Sequence, residues 1–221
     1  MKKRDLITGL FFLLLLVIVY INHFDNSFHF DDFHTIVNNP YVKNINNISR
    51  YFTSAETFSV EPSNQVYRPI VTLSAAIDNI IGGGEVWAFH LSMFIVHLLI
   101  GICIYFLLKR ILNLSYKSAH NNFFSILGAG LYVIHPVSAE TVNYIIARSD
   151  LFSTFFAILT LLLYINNLTR KYHLYLITLV LGFLTKEISS TIFAIVYVYI
   201  LLIEEKNNIL MIFRWNKFLD I

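Results

Sequence analysis

Val86 to Leu108 read VWAFHLSMFIVHLLIGICIYFLL, a stretch without a single Asp, Glu, Lys or Arg. An apolar run of this length crosses a bilayer as a helix, because a helix satisfies every backbone N–H and C=O within its own segment. The rest of the chain has the same character. Of its 221 residues, 57% are hydrophobic and 14% charged, and mean hydropathy is +0.64. That is more apolar surface than one soluble core can hide, so the chain reads as an all-α polytopic membrane protein. Its 20 Phe and 13 Tyr suit rings that settle at lipid headgroup depth. Cys103, the one cysteine, falls inside the quoted run, which excludes a disulfide framework and a cysteine-based metal site.

Further apolar runs lie at Leu6 to Ile21, Phe123 to Ile134, Leu151 to Ile165, Leu174 to Leu184 and Ile188 to Ile203, making about six transmembrane helices. The first, behind Lys2, Lys3 and Arg4, is followed by Asn22, His23, Phe24 and Asp25 rather than by a small-residue cleavage site, so it reads as a retained signal anchor. The runs ending at His135-Pro136 and Lys186-Glu187 are short, as expected of helices that stop within protein-lined polar space. The organisation that follows is an anchor at 1–22, a first extracytoplasmic loop at 23–86, helices two to six at 87–205, and an inner tail or the start of a seventh span at 206–221.

With the N-terminus inside, inner segments hold 11 of the 16 basic residues and 4 of the 14 acidic ones, giving +7 inside and −5 outside. This is the asymmetry that orients membrane proteins, and it makes the N-terminus cytoplasmic. Asp31-Asp32, the stretch from His135 to Asp150, and Lys186-Glu187 then share the extracytoplasmic side. Within the long first loop, Ile70, Leu73, Ile77, Ile80 and Ile81 recur at helical spacing between Pro69 and Gly82-Gly83-Gly84. That helix is too short to span and is expected along the membrane interface. A second short helix is expected over Asn47 to Phe52.

Phe30-Asp31-Asp32-Phe33 places two adjacent carboxylates close to the membrane surface, where solvation is poor and acids tend to have a task. The same residues read as a helix cap, since Asp accepts readily from free N–H groups. In HPVSAETVNYIIARSD, residues 135–150, a helix begun by Pro136 would line up Glu140, Tyr144 and Arg148 on one face. Arg148 then reads either as a phosphate ligand, for which its planar fork is suited, or as half of an ion pair that fixes the loop. Lys186-Glu187 puts two charges where a turn needs none, although a lysine near the interface also snorkels to water. His90 and His97 share one helix face about two turns apart, too far for a metal pair, and read as buried histidines bonded to a neighbouring helix.

An outward-facing set of carboxylates, an arginine, a lysine and a histidine tied to membrane helices suits transfer from a lipid-borne anionic donor to a soluble hydroxyl. One carboxylate would act as general base and Arg148 or Lys186 would hold the leaving phosphate. No glycine loop for a nucleotide donor is present.

The ordered motifs FDDFHTIVNNP, YRPIVTLSAAID, WAFHLSMFIVH, HPVSAETVNYIIARSDLFS and LTKE, spread over about residues 25 to 205, resemble the membrane domain of the transmembrane and tetratricopeptide-repeat O-mannosyltransferases. The resemblance implies a C-type glycosyltransferase-like bundle. It implies a polyprenyl-phosphate sugar donor, mannose as the sugar, and a protein Ser/Thr or other glycan acceptor. It also implies catalytic Asp31 and Asp32, with Asp31 the preferred base, and donor phosphate-binding Arg148 and Lys186. Arg68, His135, Glu140, Tyr144, Asp150 and Glu187 would be supporting residues. Members of that family usually carry more spans and a repeat domain, so this chain is expected to be a truncated relative. It would be active alone, dependent on a partner subunit that supplies the missing spans, or inactive.

A transporter component is the reading from another class, disfavoured because the charges lie at helix ends rather than within the spans. The cofactor is open, since an Asp pair can hold a divalent cation or act without one. Membrane lipids are expected partners and nucleic acid is not. The membrane is a bacterial inner membrane or that of the endoplasmic reticulum; the lone outer sequon, Asn47-Ile48-Ser49, does not decide between them.

Overall fold

The computed structural model describes residues 2–204, in which helices and short helical turns form the regular structure and no strand occurs among the described residues. The proposed inner tail or seventh span at 206–221 lies outside the described residues. The labelled helices are α1 (Lys3–Val19), α2 (Pro69–Gly82), α3 (Val86–Ser115), α4 (Asn121–Val133), α5 (Ser138–Asn143), α6 (Arg148–Ile165), α7 (Asn167–Lys171), α8 (Leu174–Phe183) and α9 (Thr191–Tyr199). The fold is that of an all-α polytopic membrane protein. Four helical stretches, Lys3–Asp25, Val86–Ser115, Ile145–Ile165 and Glu187–Glu204, are long and apolar enough to cross a membrane. The short third and fifth runs become α4, of 13 residues, and α8, of 10.

Met1–Ser189 and Ser190–Ile221 are two separate packing units. In the first, α3 is the central element, packed against α2, α4 and α6, while α1 lies on α4 and α8 on α6. Leu16, Tyr20, Met93, Val96, Ile100, Val133, Val142 and Leu151 form one buried cluster. Small residues allow the close approaches that membrane helices need where hydrophobic burial between them contributes little. A Cβ on Gly130 of α4 would overlap the Phe12 ring of α1, and one on Gly101 of α3 would overlap Val133. A buried hydrogen bond between the Thr160 and Thr178 hydroxyls, 2.8 Å, joins α6 to α8. Leu6, Ile7, Leu10, Leu14 and Val17 of α1 remain exposed, a face suited to lipid rather than water. In the second unit, α9 is followed by a π-helical turn, Ile200–Glu204.

The first loop is densely built. It contains a π-helical turn, Phe33–Val37, and single-turn helices at Pro40–Lys43 and Ile48–Tyr51. Asn39, fully buried, ties these turns together: its amide nitrogen donates to the carbonyls of Thr35 (3.0 Å) and Thr57 (2.9 Å), and its side-chain oxygen accepts from the Tyr41 N–H. Helix α2 has Pro69 in its first turn, where no N–H is missed, and ends on Gly83 at φ +62°, a conformation glycine adopts freely. The helix packs on α3, burying Val71, Thr72, Ala75, Ala76 and Asp78, whereas Ile77, Ile80 and Ile81 of the expected apolar stripe stay exposed.

Candidate functional site

The two acids of Phe30-Asp31-Asp32-Phe33 have opposite environments. Asp32 is fully buried, and its carboxylate oxygens accept from the N–H of His29 (3.0 Å) and of Ile146 (2.9 Å). Burial pushes its carboxyl above the ordinary value, against the lowering effect of those two N–H groups. Asp31 is exposed, with Oδ1 3.3 Å from His34 Nε2. Its own N–H donates to the Tyr144 hydroxyl oxygen at 3.1 Å. Phe30, between the acids and His29, takes φ +42° with an exposed ring, a left-handed conformation that a bulky residue rarely holds and that turns Asp31 outward as Asp32 turns in.

From Asp31 a circuit made partly of contacts and partly of neighbouring positions in the chain runs around the end of the bundle. The other nitrogen of His34 lies 2.9 Å from the Ser59 hydroxyl. Phe58, next to Ser59, lies under the Arg68 guanidinium at 5.4 Å. Arg68 Nη2 bonds Glu187 at 3.3 Å, and Lys186 Nζ bonds Asp150 at 2.6 Å. Asp150 stands in the first turn of α6, just beyond Ile146, whose N–H returns to Asp32. A bond from the Ile70 N–H to the Leu184 carbonyl, 3.1 Å, pins the start of α2 to the turn before Lys186. Asp31 is thus held by His34 and Tyr144, Arg68 is paired with Glu187, and Lys186 with Asp150. Asp31 and Glu187, together with Glu61, which lies 4.0 Å from His34 Nε2, are exposed acids, while Arg68 and Lys186 are partly covered cations.

Three expected features differ. The single helical face linking Glu140, Tyr144 and Arg148 does not form, because the backbone turns extended at Tyr144 (φ −92°, ψ 113°) between α5 and the start of α6. Arg148 does not meet Glu140; it is fully buried against Asp78 of α2, with Nη2 2.8 Å from the carboxylate. Its other contacts are the Ser74 hydroxyl at 3.2 Å and the Ile145 carbonyl at 3.3 Å, over the Phe89 ring. Glu140 stays exposed on α5, and His135 accepts from the Val137 N–H as a local cap, so neither joins the circuit.

His34, Ser59, Glu61 and Asp78 were not singled out in the sequence. The signal for His34 lay in its spacing from Asp31, one turn on within FDDFH. Nothing local marks Asp78, whose partner is 70 positions away. Ser92 also donates to Asp78, at 2.6 Å, and burial raises that carboxyl although Arg148 beside it acts to lower it. His97 bonds the Val133 carbonyl of α4 at 2.9 Å, and His90 the Asn26 carbonyl at 3.1 Å. Among the described residues, no group of three His, Cys, Asp or Glu side chains is placed to hold a metal ion. With both Asp32 oxygens taken by N–H groups, Asp31 is the member of the pair with a carboxylate open to a ligand.

Bundle and circuit together define a polytopic membrane protein with a polar site at one end of its helices. Its sequence is 27% identical to the Caenorhabditis elegans protein O-mannosyl-transferase F38B6.6 over 158 residues, 69% of this chain and 22% of that protein. It is 27% identical to mouse protein O-mannosyl-transferase TMTC2 over 109 residues, 49% of this chain and 12% of that protein. The Drosophila melanogaster protein O-mannosyl-transferase Tmtc2 matches at 26% over 166 residues, 73% and 17% respectively. The chain is a relative of these proteins, as its motifs implied, and spans about a fifth or less of their length. No family model matches it, and no solved structure does.

Proposed function

We propose that this chain carries the outward-facing site of a membrane glycosyltransferase that moves a sugar, mannose by its relatives' names, from a polyprenyl-phosphate donor to a hydroxyl, with Ser/Thr of a protein the favoured acceptor. The observation that carries the proposal is the split of the Asp pair. Asp32 is spent on two backbone N–H groups, whereas Asp31 is exposed beside His34 on a circuit that includes Arg68 and Lys186.

Asp31 takes the proton of the acceptor hydroxyl as its oxygen attacks the sugar's anomeric carbon. The bond from that carbon to the phosphate oxygen breaks with inversion, and the polyprenyl phosphate leaves with its negative charge facing Lys186 and Arg68. His34 is a positioning residue that holds Asp31. Arg148, buried on Asp78, takes a different part from the phosphate contact considered above: it anchors the Ile145 carbonyl and so the segment that presents Tyr144 and the Asp32 contact.

The test compares labelled mannose transfer from polyprenyl-phosphate mannose to a Ser/Thr-rich acceptor by the purified full chain in lipid with that of Asp31→Asn. Loss of the base lowers transfer by about a hundredfold or more at unchanged donor binding. Transfer retained in Asp31→Asn overturns the assignment of the base. Donor bound but not turned over by the unsubstituted chain assigns it to a partner-dependent assembly instead.

A further inference from the structure

At the end of the bundle away from Asp31, a groove of about 670 Å³ opens between the last turns of α3 and the junction of α6 with α7. Lys109 and Arg110 line it beside the amides of Asn113 and Asn167, and Phe106 and Leu163 continue its wall toward the apolar part of the bundle. Among the described residues, no acid lines this groove. Arg110 and Asn113 are exposed, while Lys109 is half-buried and donates to the Tyr105 hydroxyl at 3.1 Å. Tyr105 donates onward to Asn122 (2.7 Å), which donates to Asp5 (2.9 Å). Asp5 is buried and paired with Arg4, so the acid at this end of the Met1–Ser189 unit is already neutralised. Lys2, Lys3, Lys109, Arg110, Lys117 and Lys171 leave this end of the unit basic.

The geometry points to this groove as a binding site for an anionic phospholipid of the surrounding bilayer. Its phosphate would lie between Lys109 and Arg110, with the amides as further donors and an acyl chain along Phe106 and Leu163. The occupant is a lipid rather than a soluble anion because one continuous surface joins the cations to apolar helix flanks that carry exposed rings: Phe106 is 50% exposed. Basic grooves between transmembrane helices collect anionic headgroups for the same reason, since a cation at the interface gains a counter-ion while the chains remain in hydrocarbon. The inference is independent of the glycosyltransferase reading, whose residues lie at the other end of the helices.

The test is native mass spectrometry and thermal unfolding of the detergent-purified full chain titrated with phosphatidylglycerol, with phosphatidylcholine, or with glycerol phosphate as the soluble headgroup. Phosphatidylglycerol is expected to stay bound and raise the unfolding temperature, and the other two are not. Arg110→Gln is expected to weaken retention about fivefold and Lys109→Gln/Arg110→Gln about thirtyfold. Lys109→Arg/Arg110→Lys, which keeps both charges, is expected to retain binding and controls for misfolding, with far-ultraviolet circular dichroism compared for every variant. Equal retention of phosphatidylcholine overturns the proposal, as does unchanged phosphatidylglycerol binding in the folded double Gln variant. An equal effect of glycerol phosphate overturns the lipid assignment in favour of a soluble anion.

Discussion

Asp31 and Asp32 are adjacent in sequence, yet one is exposed and the other buried on two backbone N–H groups, and Asp32 makes no side-chain cap bond to the turn that follows it. A carboxylate that accepts two backbone N–H groups in a buried place is part of the scaffold, and its neighbour, which follows the left-handed Phe30, is exposed. Arg148 follows the same logic. A buried ion pair contributes little net stability, because desolvation offsets attraction, but losing one partner strands the other charge. Asp78→Asn should therefore destabilise the protein by about 3–5 kcal/mol, whereas Asp78→Leu/Arg148→Met should restore most of that loss. Thermal unfolding in detergent checks both; a double variant no more stable than Asp78→Asn would mean that the pair also satisfies needs an apolar filling cannot meet.

At the scale of elements, the apolar runs announced the helices because hydrophobicity over a dozen or more residues is a local property of the chain. Helix contacts are not local. Gly130 could be read as a flexible residue in α4, and only packing shows that the Phe12 ring of α1 occupies the space its side chain would need. Gly130→Leu is expected to cost about 1–3 kcal/mol by overpacking. Gly9→Leu on α1, where nothing lies within 4 Å of the added carbon, is expected to be nearly neutral and serves as the control. Equal loss of thermal stability in both variants would deny the α1–α4 contact this part. The break at Tyr144 belongs to the same scale: i,i+4 spacing from Glu140 to Arg148 was legible, but the partners on the two sides of the turn, His23 and Asn26 for Asn143 before it and Asp32 and Asp78 for Ile146 and Arg148 after it, lie far away in sequence.

For the whole molecule, the buried acids Asp32 and Asp78 make a contribution of known sign to the response to pH. Asp32 and Asp78 both have folded-state values raised by burial. Between the ordinary carboxylate value, about 4, and the raised one, the folded state binds more protons than the unfolded state. The contribution of these two carboxyls to stability is then greatest on the acidic side of that window, falls as pH rises through it and levels off above. The difference in unfolding temperature between the unsubstituted chain and Asp78→Leu/Arg148→Met, measured from about pH 4 to about pH 8, isolates the Asp78 part and should move against the unsubstituted chain as pH rises through the window. A difference that moves in its favour with rising pH would contradict the raised Asp78 value.

Composition and run length by themselves determined that this is an all-α membrane protein, that its charge is unevenly divided along the chain, and that an Asp pair and a Lys-Glu pair interrupt otherwise apolar stretches. These features are written locally, in side-chain polarity summed over a turn or a span. Tertiary structure decided which Asp is spent and which is open, that His34 rather than His135 stands beside it, and that Arg148 answers to Asp78. A side chain's burial and partner depend on elements distant in sequence, and the low dielectric of the interior makes that partnering compulsory wherever a charge is enclosed.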